Sequence, residues 1–234
     1  MISLSCCGRF GFSGTGRPAV APLVGANENR RTTRMIKIKS AFAVTAAAAM
    51  LAVGGLTAAS APAEAASGGR VCLFLDKEGA KFAGRTYGHV AWAIRDPKNT
   101  NHWIWGATEN AEGDSTTLPG KDNGSWIQGG TWSEMRGETK SKKRTIELAR
   151  YDAYRCINTA GGDLKAAQRT FNNMKNNGYQ ILHNNCLTKA IAIFRKYSPA
   201  LSSSHLPDGD STPPRNYFKT TLDNARGWEK ARTY

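Results

Sequence analysis

The chain has 234 residues and a formal net charge of +14, from 32 Lys and Arg against 18 Asp and Glu. Even without an N-terminal leader of about 65 residues, the remaining chain is long enough for one domain with a sizeable core and too short for two domains of typical size. The basic excess favours anionic surroundings, such as anionic wall polymers outside a cell. The basic residues are spread along the chain apart from K-S-K-K-R at residues 140–144, and nothing resembles an RNA or DNA module, so we expect no nucleic-acid partner.

A secretion signal is predicted over residues 35–65. It has a basic start (M-I-K-I-K-S), an apolar core rich in Ala and Gly, and a small-residue exit (A-P-A-E-A-A-S). The apolar stretch ends in a cleavage pattern and not in a basic stop, so no membrane span is expected to be retained. We therefore expect cleavage after Ala65 and a secreted, extracellular mature domain, residues 66–234, with a Pro/Ser-rich C-terminal tail.

The residues upstream of this signal, 1–34, show no apolar period, and we interpret them as an untranslated or disordered leader with Met35 as the true start. The alternative is a twin-arginine signal that opens at Arg30-Arg31. The apolar residues expected soon after such a pair are replaced here by Thr32, Thr33 and Arg34.

Three cysteines remain after removal of the leader: Cys72, Cys156 and Cys186. An odd number in an oxidising compartment leaves one thiol unpaired or paired between chains. If Cys72 and Cys156 form a disulfide, the closed loop contributes about 4 kcal/mol in the chain-entropy model. Cys186 is then the free thiol.

The first half of the mature domain is predicted to form strands. Apolar runs over residues 71–75, 89–94 and 102–107 are strand-like, and the turn residues D-P-K-N-T-N join the last two into a hairpin. Residues 109–143 are predicted to be a long surface excursion with one short strand near Trp126, and the alternation over 145–151 predicts another strand.

The second half is predicted to be mainly helical. Residues 163–176 form an amphipathic pattern that stops at Asn-Asn-Gly, and Asn184 or Asn185 can cap a helix that starts at Cys186. A short helix is also predicted over 217–231. Strands first and helices later indicate an α+β fold, a small antiparallel sheet packed against the helix that carries the cysteine.

Cys186 is the candidate nucleophile, because a helix N-terminus favours the thiolate. A catalytic thiol also needs a base, most often an imidazole. His89 is the best candidate because it begins a strand, and His102 on the return strand of the hairpin can orient it. His183 and His205 are interpreted as structural.

The segments G-H-V-A-W-A-I and Y-Q-I-L-H-N-N-C-L-T resemble the circularly permuted papain-like proteins, which include NlpC-like cell-wall hydrolases and lecithin:retinol acyltransferase relatives. In that family the histidine strand comes first, a polar residue lies on the next strand, and the cysteine heads a later helix. The resemblance implies a permuted papain-like fold with Cys186 as nucleophile, His89 as general base and His102 as orienting residue. The long excursion and the hairpin turn depart from the family pattern, so Glu109 and Asn110 are alternatives to His102.

These features predict a secreted thiol hydrolase or acyl-transfer enzyme, a cysteine peptidase or amidase. It would cleave a peptide or peptidoglycan amide through an acyl-cysteine intermediate. The alternatives are a secreted binding or inhibitory protein of the same fold, in which Cys186 is structural or disulfide-bonded, and an exported toxin. No cofactor is expected, and no metal site, since the sequence lacks a Cys-x-x-Cys pair and close histidine spacing. The strand tryptophans Trp92, Trp103 and Trp105 either fill the core or line a substrate cleft.

Overall fold

A computed structural model describes residues 68–110, 115–147 and 149–234 of the chain. The predicted leader, the twin-arginine alternative and the signal segment lie outside the described residues. The two cysteines of the leader, Cys6 and Cys7, also lie outside them.

The described residues form ten strands. In chain order they are β1 (Gly69–Asp76), β2 (Lys81–Phe82), β3 (Arg85–Thr86), β4 (His89–Arg95), β5 (Trp103–Thr108), β6 (Thr116–Thr117), β7 (Ser125–Gly130), β8 (Ala153–Thr159), β9 (Tyr179–Gln180) and β10 (Arg232–Thr233). Six of them build one antiparallel sheet in the order β10-β8-β1-β4-β5-β7, and β2-β3 and β6-β9 are small separate pairs.

Helices follow or interrupt the strands. They are α1 (Trp132–Met135), α2 (Leu164–Met174), α3 (Cys186–Tyr197), α4 (Pro214–Asn216), a π-helical turn (Tyr217–Thr221) and α5 (Leu222–Asn224). The mixture of one antiparallel sheet with a few helices confirms the α+β class.

The two faces of the sheet are covered differently. Alternate residues of β1 and β4, such as Leu73 and Trp92, pack under α2, α3 and the C-terminal helical turns. The opposite face carries Phe74 and Trp105, which pack against Tyr151 and α1. Because both faces are buried, β1 and β4 are apolar at nearly every position and do not alternate.

The predicted hairpin is confirmed, since β4 and β5 pair from Ala91 with Ala107 to Arg95 with Trp103. The helices predicted over 163–176 and from Cys186 onward are also confirmed, with Asp163 and Asn185 as their N-caps. The strand tryptophans Trp92, Trp103 and Trp105 are 2%, 6% and 0% exposed, so they fill the core.

Two other predictions need correction. The described residues of the range 145–151, which are 145–147 and 149–151, do not form a strand. The backbone N–H of Tyr151 donates to the Glu147 carbonyl, and the strand falls instead on β8. The excursion over 109–143 contains the expected strand, β7, but its later part folds over the second face of the sheet and buries Met135. The C-terminal helical turns begin at Pro214 and end at Asn224, earlier at both ends than predicted.

The disulfide between Cys72 and Cys156 is present and joins directly paired residues of β1 and β8. Cys186 is free and buried, which excludes the alternative that it is bonded to either of the others. A disulfide of this kind is compatible with an oxidising compartment. Among the described residues, no helix is long and apolar enough to cross a membrane.

Candidate functional site

Cys186 is the first residue of α3, and the sequence before it fixes that position. The Asn185 side chain accepts hydrogen bonds from the backbone N–H groups of Leu187 and Thr188, at 2.9 and 3.1 Å. The Thr188 hydroxyl in turn accepts the Asn185 N–H at 2.9 Å, which completes a capping box. Cys186 is 2% exposed, and the backbone N–H of Val90 lies near its sulfur and favours the thiolate.

A short covering segment, residues 209–215, lies across the beginning of α3. A Cβ at Gly209 would lie 2.5 Å from Ile191 and 3.0 Å from Leu187, so only a glycine lets the backbone pass this close. The Ser211 N–H donates to the Leu182 carbonyl at 2.9 Å, and the Arg215 N–H donates to the Tyr87 carbonyl at 3.0 Å. The covering segment therefore bridges the loops before Cys186 and before His89.

His89 begins β4 and is held by a tight backbone arrangement. Gly88 has a φ of +79°, and its N–H donates to the Gly79 carbonyl at 2.9 Å. A Cβ at Gly79 would lie 2.5 Å from the His89 Cβ. Both glycines are needed for this approach, and the imidazole is left 4% exposed.

Glu109 lies opposite His89 because the β4–β5 register continues two residues beyond the pair Ala91 and Ala107. The His89 Nε2 is 3.4 Å from the Glu109 Oε2, and the Trp126 indole N–H donates to the Glu109 Oε1 at 2.8 Å. Arg150 donates to the Oε2. The Glu109 side chain, 6% exposed, thus has an imidazole, an indole and a guanidinium around it.

Two further residues complete this environment. The Arg144 guanidinium lies 3.6 Å from the Glu109 Oε1 and stacks over Trp126, and the Tyr151 ring lies 6.1 Å from the His89 ring, centre to centre. Tyr151 is buried, and its hydroxyl has no hydrogen-bond partner among the described residues. We call His89, Glu109, Arg150, Tyr151 and Cys186 the β4 site.

The charges of His89 and Glu109 depend on their burial and on the charged groups around them. Burial lowers the pKa of His89, Glu109 partly opposes this shift, and Arg150 adds to it. Burial alone would raise the pKa of Glu109, but His89, the Trp126 N–H and Arg150 outweigh it and the pKa is lowered. At neutral pH the site therefore holds a neutral imidazole beside an ionised carboxylate.

The pKa of the Cys186 thiol is raised, whereas the sequence predicts that the helix N-terminus lowers it. Burial raises the pKa of Cys186 to about 12, although the N–H groups of Val90, Leu187 and Cys186 itself favour the thiolate. The expected lowering by the helix N-terminus is present but smaller than the desolvation cost. Cys186 is accordingly a protonated thiol at neutral pH in this closed arrangement.

The thiol and the imidazole meet the beginning of β4 from different sides. Val90 packs with Cys186 on the face covered by α3, whereas His89, the preceding residue, contacts Tyr151 on the other face. No hydrogen bond joins the Cys186 thiol to the His89 ring in the part of the chain that the structure describes. The closed site therefore brings the two groups to one strand end without pairing them.

The predicted orienting role does not fit the position of His102. Its carbonyl accepts the Asp96 N–H at the turn of the hairpin, whereas His89 stands at the opposite end of β4. Seven strand residues separate the two ends, which is roughly 20 Å at about 3.3 Å per residue. Of the two alternatives, Glu109 reaches His89, while Asn110 accepts a hydrogen bond from the Thr117 hydroxyl at 2.6 Å in the turn after β5.

The other two histidines have polar partners outside the β4 site. His183 lies 2.9 Å from Asp210 in the covering segment, and the His205 ring contacts Ser202 at 2.9 Å. Tyr151, Arg144 and Arg150 were not anticipated. The sequence of residues 145–151 has the pattern of an ordinary strand, and no local pattern indicates that these side chains lie near β4.

Among the described residues, no group of three His, Cys, Asp or Glu side chains is placed to hold a metal ion. Comparison of the chain with protein-family models, with curated proteins and with solved structures found no match.

Proposed function

We propose that this protein is a secreted thiol hydrolase or acyl-transfer enzyme of the permuted papain-like type, with Cys186 as nucleophile and His89 as general base. The observation that carries the proposal is the meeting of three elements at one strand end. The sulfur of the residue that heads α3 faces the Val90 N–H, and the residue before Val90 is an imidazole in contact with a buried carboxylate.

In the proposed reaction the Cys186 sulfur attacks the carbonyl carbon of an amide, after His89 has taken the thiol proton. His89 then gives this proton to the leaving amine, and water releases the acyl group from sulfur. Glu109 replaces His102 as the orienting residue, since an ionised carboxylate beside the ring stabilises the imidazolium that forms.

The closed arrangement requires a conformational step before this chemistry. Cys186 has to be uncovered and the His89 ring has to reach it around the start of β4, so we infer that substrate displaces the covering segment, residues 209–215. Catalytic contacts that tighten only when substrate binds are common.

Few backbone N–H groups at the start of α3 are free to stabilise the oxyanion. The Asn185 side chain already occupies the N–H groups of Leu187 and Thr188. This leaves the Cys186 N–H at the start of α3 as the donor to the oxyanion.

The substrate class follows from the predicted secretion and the basic charge. A peptide or peptidoglycan amide within an anionic cell wall is the proposed substrate, since basic residues favour such a polymer.

The experiment incubates the purified protein with peptidoglycan and with a mixture of peptides, and detects newly released amines by mass spectrometry. Amines should appear with wild type and with His205→Ala, and disappear with Cys186→Ala and His89→Ala. Release that persists in Cys186→Ala would rule out the proposed nucleophile.

A second candidate, a secreted binding protein without catalysis, is favoured by one observation: the thiol is buried, protonated and not bonded to the imidazole. It predicts that all of these variants bind the same wall polymer equally and release nothing. Cosedimentation of wild type and Cys186→Ala with insoluble peptidoglycan, run beside the amine assay, distinguishes the two functions.

A further inference from the structure

A cavity of about 830 Å³ lies between the sheet and the C-terminal helical turns, on the face that α3 also covers. This volume is in the range of small-molecule sites, about 300–1,000 Å³. Its apolar walls are Leu75, Ala153, Phe218 and Ala231. Leu75 pairs with Val90, so the cavity begins one strand away from the β4 site.

Arg155 is the buried charged residue of this cavity. It is 3% exposed, and its guanidinium lies 4.9 Å from the centre of the Phe218 ring. One of its N–H groups donates to Asp223 at 2.7 Å, while its Nε has no hydrogen-bond partner among the described residues. Arg155 therefore places a positive charge in the wall of the cavity, and the Asp223 carboxylate that pairs with it is itself 61% exposed.

Three lysines surround the opening, and all are exposed. Lys77 forms an ion pair with Asp152 at 3.0 Å. Lys219 and Lys230 line the same cavity, and no ion pair is found for either among the described residues. With Arg155 the lining holds four cations and two carboxylates, a net charge of +2.

We propose that this cavity binds a small carboxylate with an apolar body. The carboxylate would meet Arg155 and the two unpaired lysines, because a guanidinium suits the two oxygens of a carboxylate. The apolar body would pack against Ala153 and Ala231, which are the apolar lining residues with accessible surface. Such a ligand is either a free medium-chain fatty acid or a peptide with an apolar C-terminal residue.

The site goes beyond the proposed catalysis and does not depend on it, since Cys186 and His89 do not line the cavity. Cys186→Ala should therefore bind the ligand as wild type does, even if no reaction is ever detected. Failure of this proposal and failure of the thiol hydrolase proposal are thus separate results.

The test is isothermal titration calorimetry on the full purified chain with decanoate, with its neutral analogue decanamide, with a tetrapeptide that ends in leucine, and with inorganic phosphate. Decanoate should bind with one-to-one stoichiometry and at least about tenfold more tightly than decanamide, since hydrogen bonds between charged groups are stronger than those of a neutral amide. The stronger of decanoate and the tetrapeptide identifies the source of the carboxylate. Phosphate should bind weakly because it cannot use the apolar walls.

Variants of the lining residues test whether decanoate binds in this cavity. Lys219→Gln combined with Lys230→Gln changes exposed residues, so the fold should be kept while decanoate affinity falls by about threefold to tenfold and becomes less sensitive to salt. Lys165→Gln, in a different cavity, is the matched control and should change nothing. Arg155→Gln should weaken binding further, with circular dichroism as the check that it folds.

Three outcomes would overturn the proposal. They are no binding of either carboxylate, equal affinity for decanoate and decanamide, and an unchanged affinity in the double lysine variant.

Discussion

At the scale of single residues, the environment of the β4 site opposes the charges that catalysis would need. Cys186 and His89 are both buried, and in both cases burial favours the uncharged form. Sequence placed Cys186 correctly at a helix start, but only the tertiary contacts show that desolvation outweighs the helix dipole.

Alkylation of Cys186 by iodoacetamide should be slow at pH 7. Its rate should still be rising at pH 9, because burial holds the pKa near 12 and shields the sulfur. Labelling in the native protein is read by mass spectrometry across pH 4–9, with the urea-unfolded chain as the reference for a freely accessible thiol. A plateau below pH 8 would show an activated thiolate and contradict the closed arrangement.

A matched variant tests the cover over the thiol. Ser211 has a φ of +57° and donates its N–H to Leu182. Ser211→Pro cannot adopt that φ and loses that donor, so it should loosen the covering segment and speed the labelling of Cys186. Ser203→Pro, at an exposed position outside this segment, is the control for a general effect of proline.

The second prediction concerns stability in acid. The pKa of His89 is lowered from 6.5, so below that pH the unfolded chain takes up a proton that the folded chain does not, and stability falls as pH falls. One such proton corresponds to at most about 1.4 kcal/mol per pH unit. Urea unfolding at pH 7.5, 6.5 and 5.5 should show a shallower loss in His89→Gln than in wild type.

His205→Gln is the control for this measurement and should retain the wild-type loss. The pKa of Glu109 is lowered from 4.5, so this carboxylate adds a further loss of stability below that pH, by the same reasoning. An identical pH dependence in wild type and His89→Gln would mean that the imidazole is not held neutral by the fold.

At the scale of elements, α2 and α3 are joined by a buried lysine. Lys189 is 3% exposed and its Nζ donates to the carbonyls of Met174 and Gly178, at 2.8 and 3.0 Å, and to the Asn177 side chain. Burial lowers the pKa of Lys189 to about 8, so at pH 7 the ammonium still has three protons for three acceptors. This contact ties the end of α2 to the helix that carries the thiol.

Lys189→Met keeps the length of the side chain and removes all three donors. We expect it to lower the free energy of unfolding by about 2–4 kcal/mol, since buried carbonyls are left unsatisfied. Urea unfolding at pH 7 measures the loss. Lys175→Met, at an exposed position at the end of α2, should lie within about 0.5 kcal/mol of wild type. Equal stability of the two variants would show that the contact is dispensable.

The elements themselves follow the sequence where the pattern is local. The hairpin turn, the caps Asp163 and Asn185, and the stop at Gly178 each depend on a few adjacent residues, and each was predicted. The sequence of residues 145–151 alternates like a strand, but its described residues, 145–147 and 149–151, do not form one, and Ile146 and Tyr151 both pack in the second core cluster. Tertiary burial overrides a period of two in so short a segment.

At the scale of the whole molecule, the disulfide closes a covalent loop that spans about half of the described residues. Cys72 and Cys156 are 84 residues apart and lie on the neighbouring strands β1 and β8. The double variant Cys72→Ala/Cys156→Ala should lose about 2–5 kcal/mol of stability, mainly because its unfolded chain is less constrained. Wild type unfolded in urea with a reducing agent should show a similar loss, and a double variant as stable as oxidised wild type would refute the expectation.

The sequence by itself determined the features that depend on neighbouring residues. These are the α+β order of elements, the hairpin of β4 and β5, the position of Cys186 at the start of α3, and the single unpaired thiol that remains if Cys72 and Cys156 are joined. Only the tertiary structure decided that Glu109 and not His102 meets His89, that Tyr151 and Arg150 fold toward them, and that the thiol is covered and protonated. These outcomes depend on strand register and on burial. Strand register and burial each depend on contacts between residues far apart in the chain. No local sequence pattern predicts the desolvation that sets the charges of these side chains.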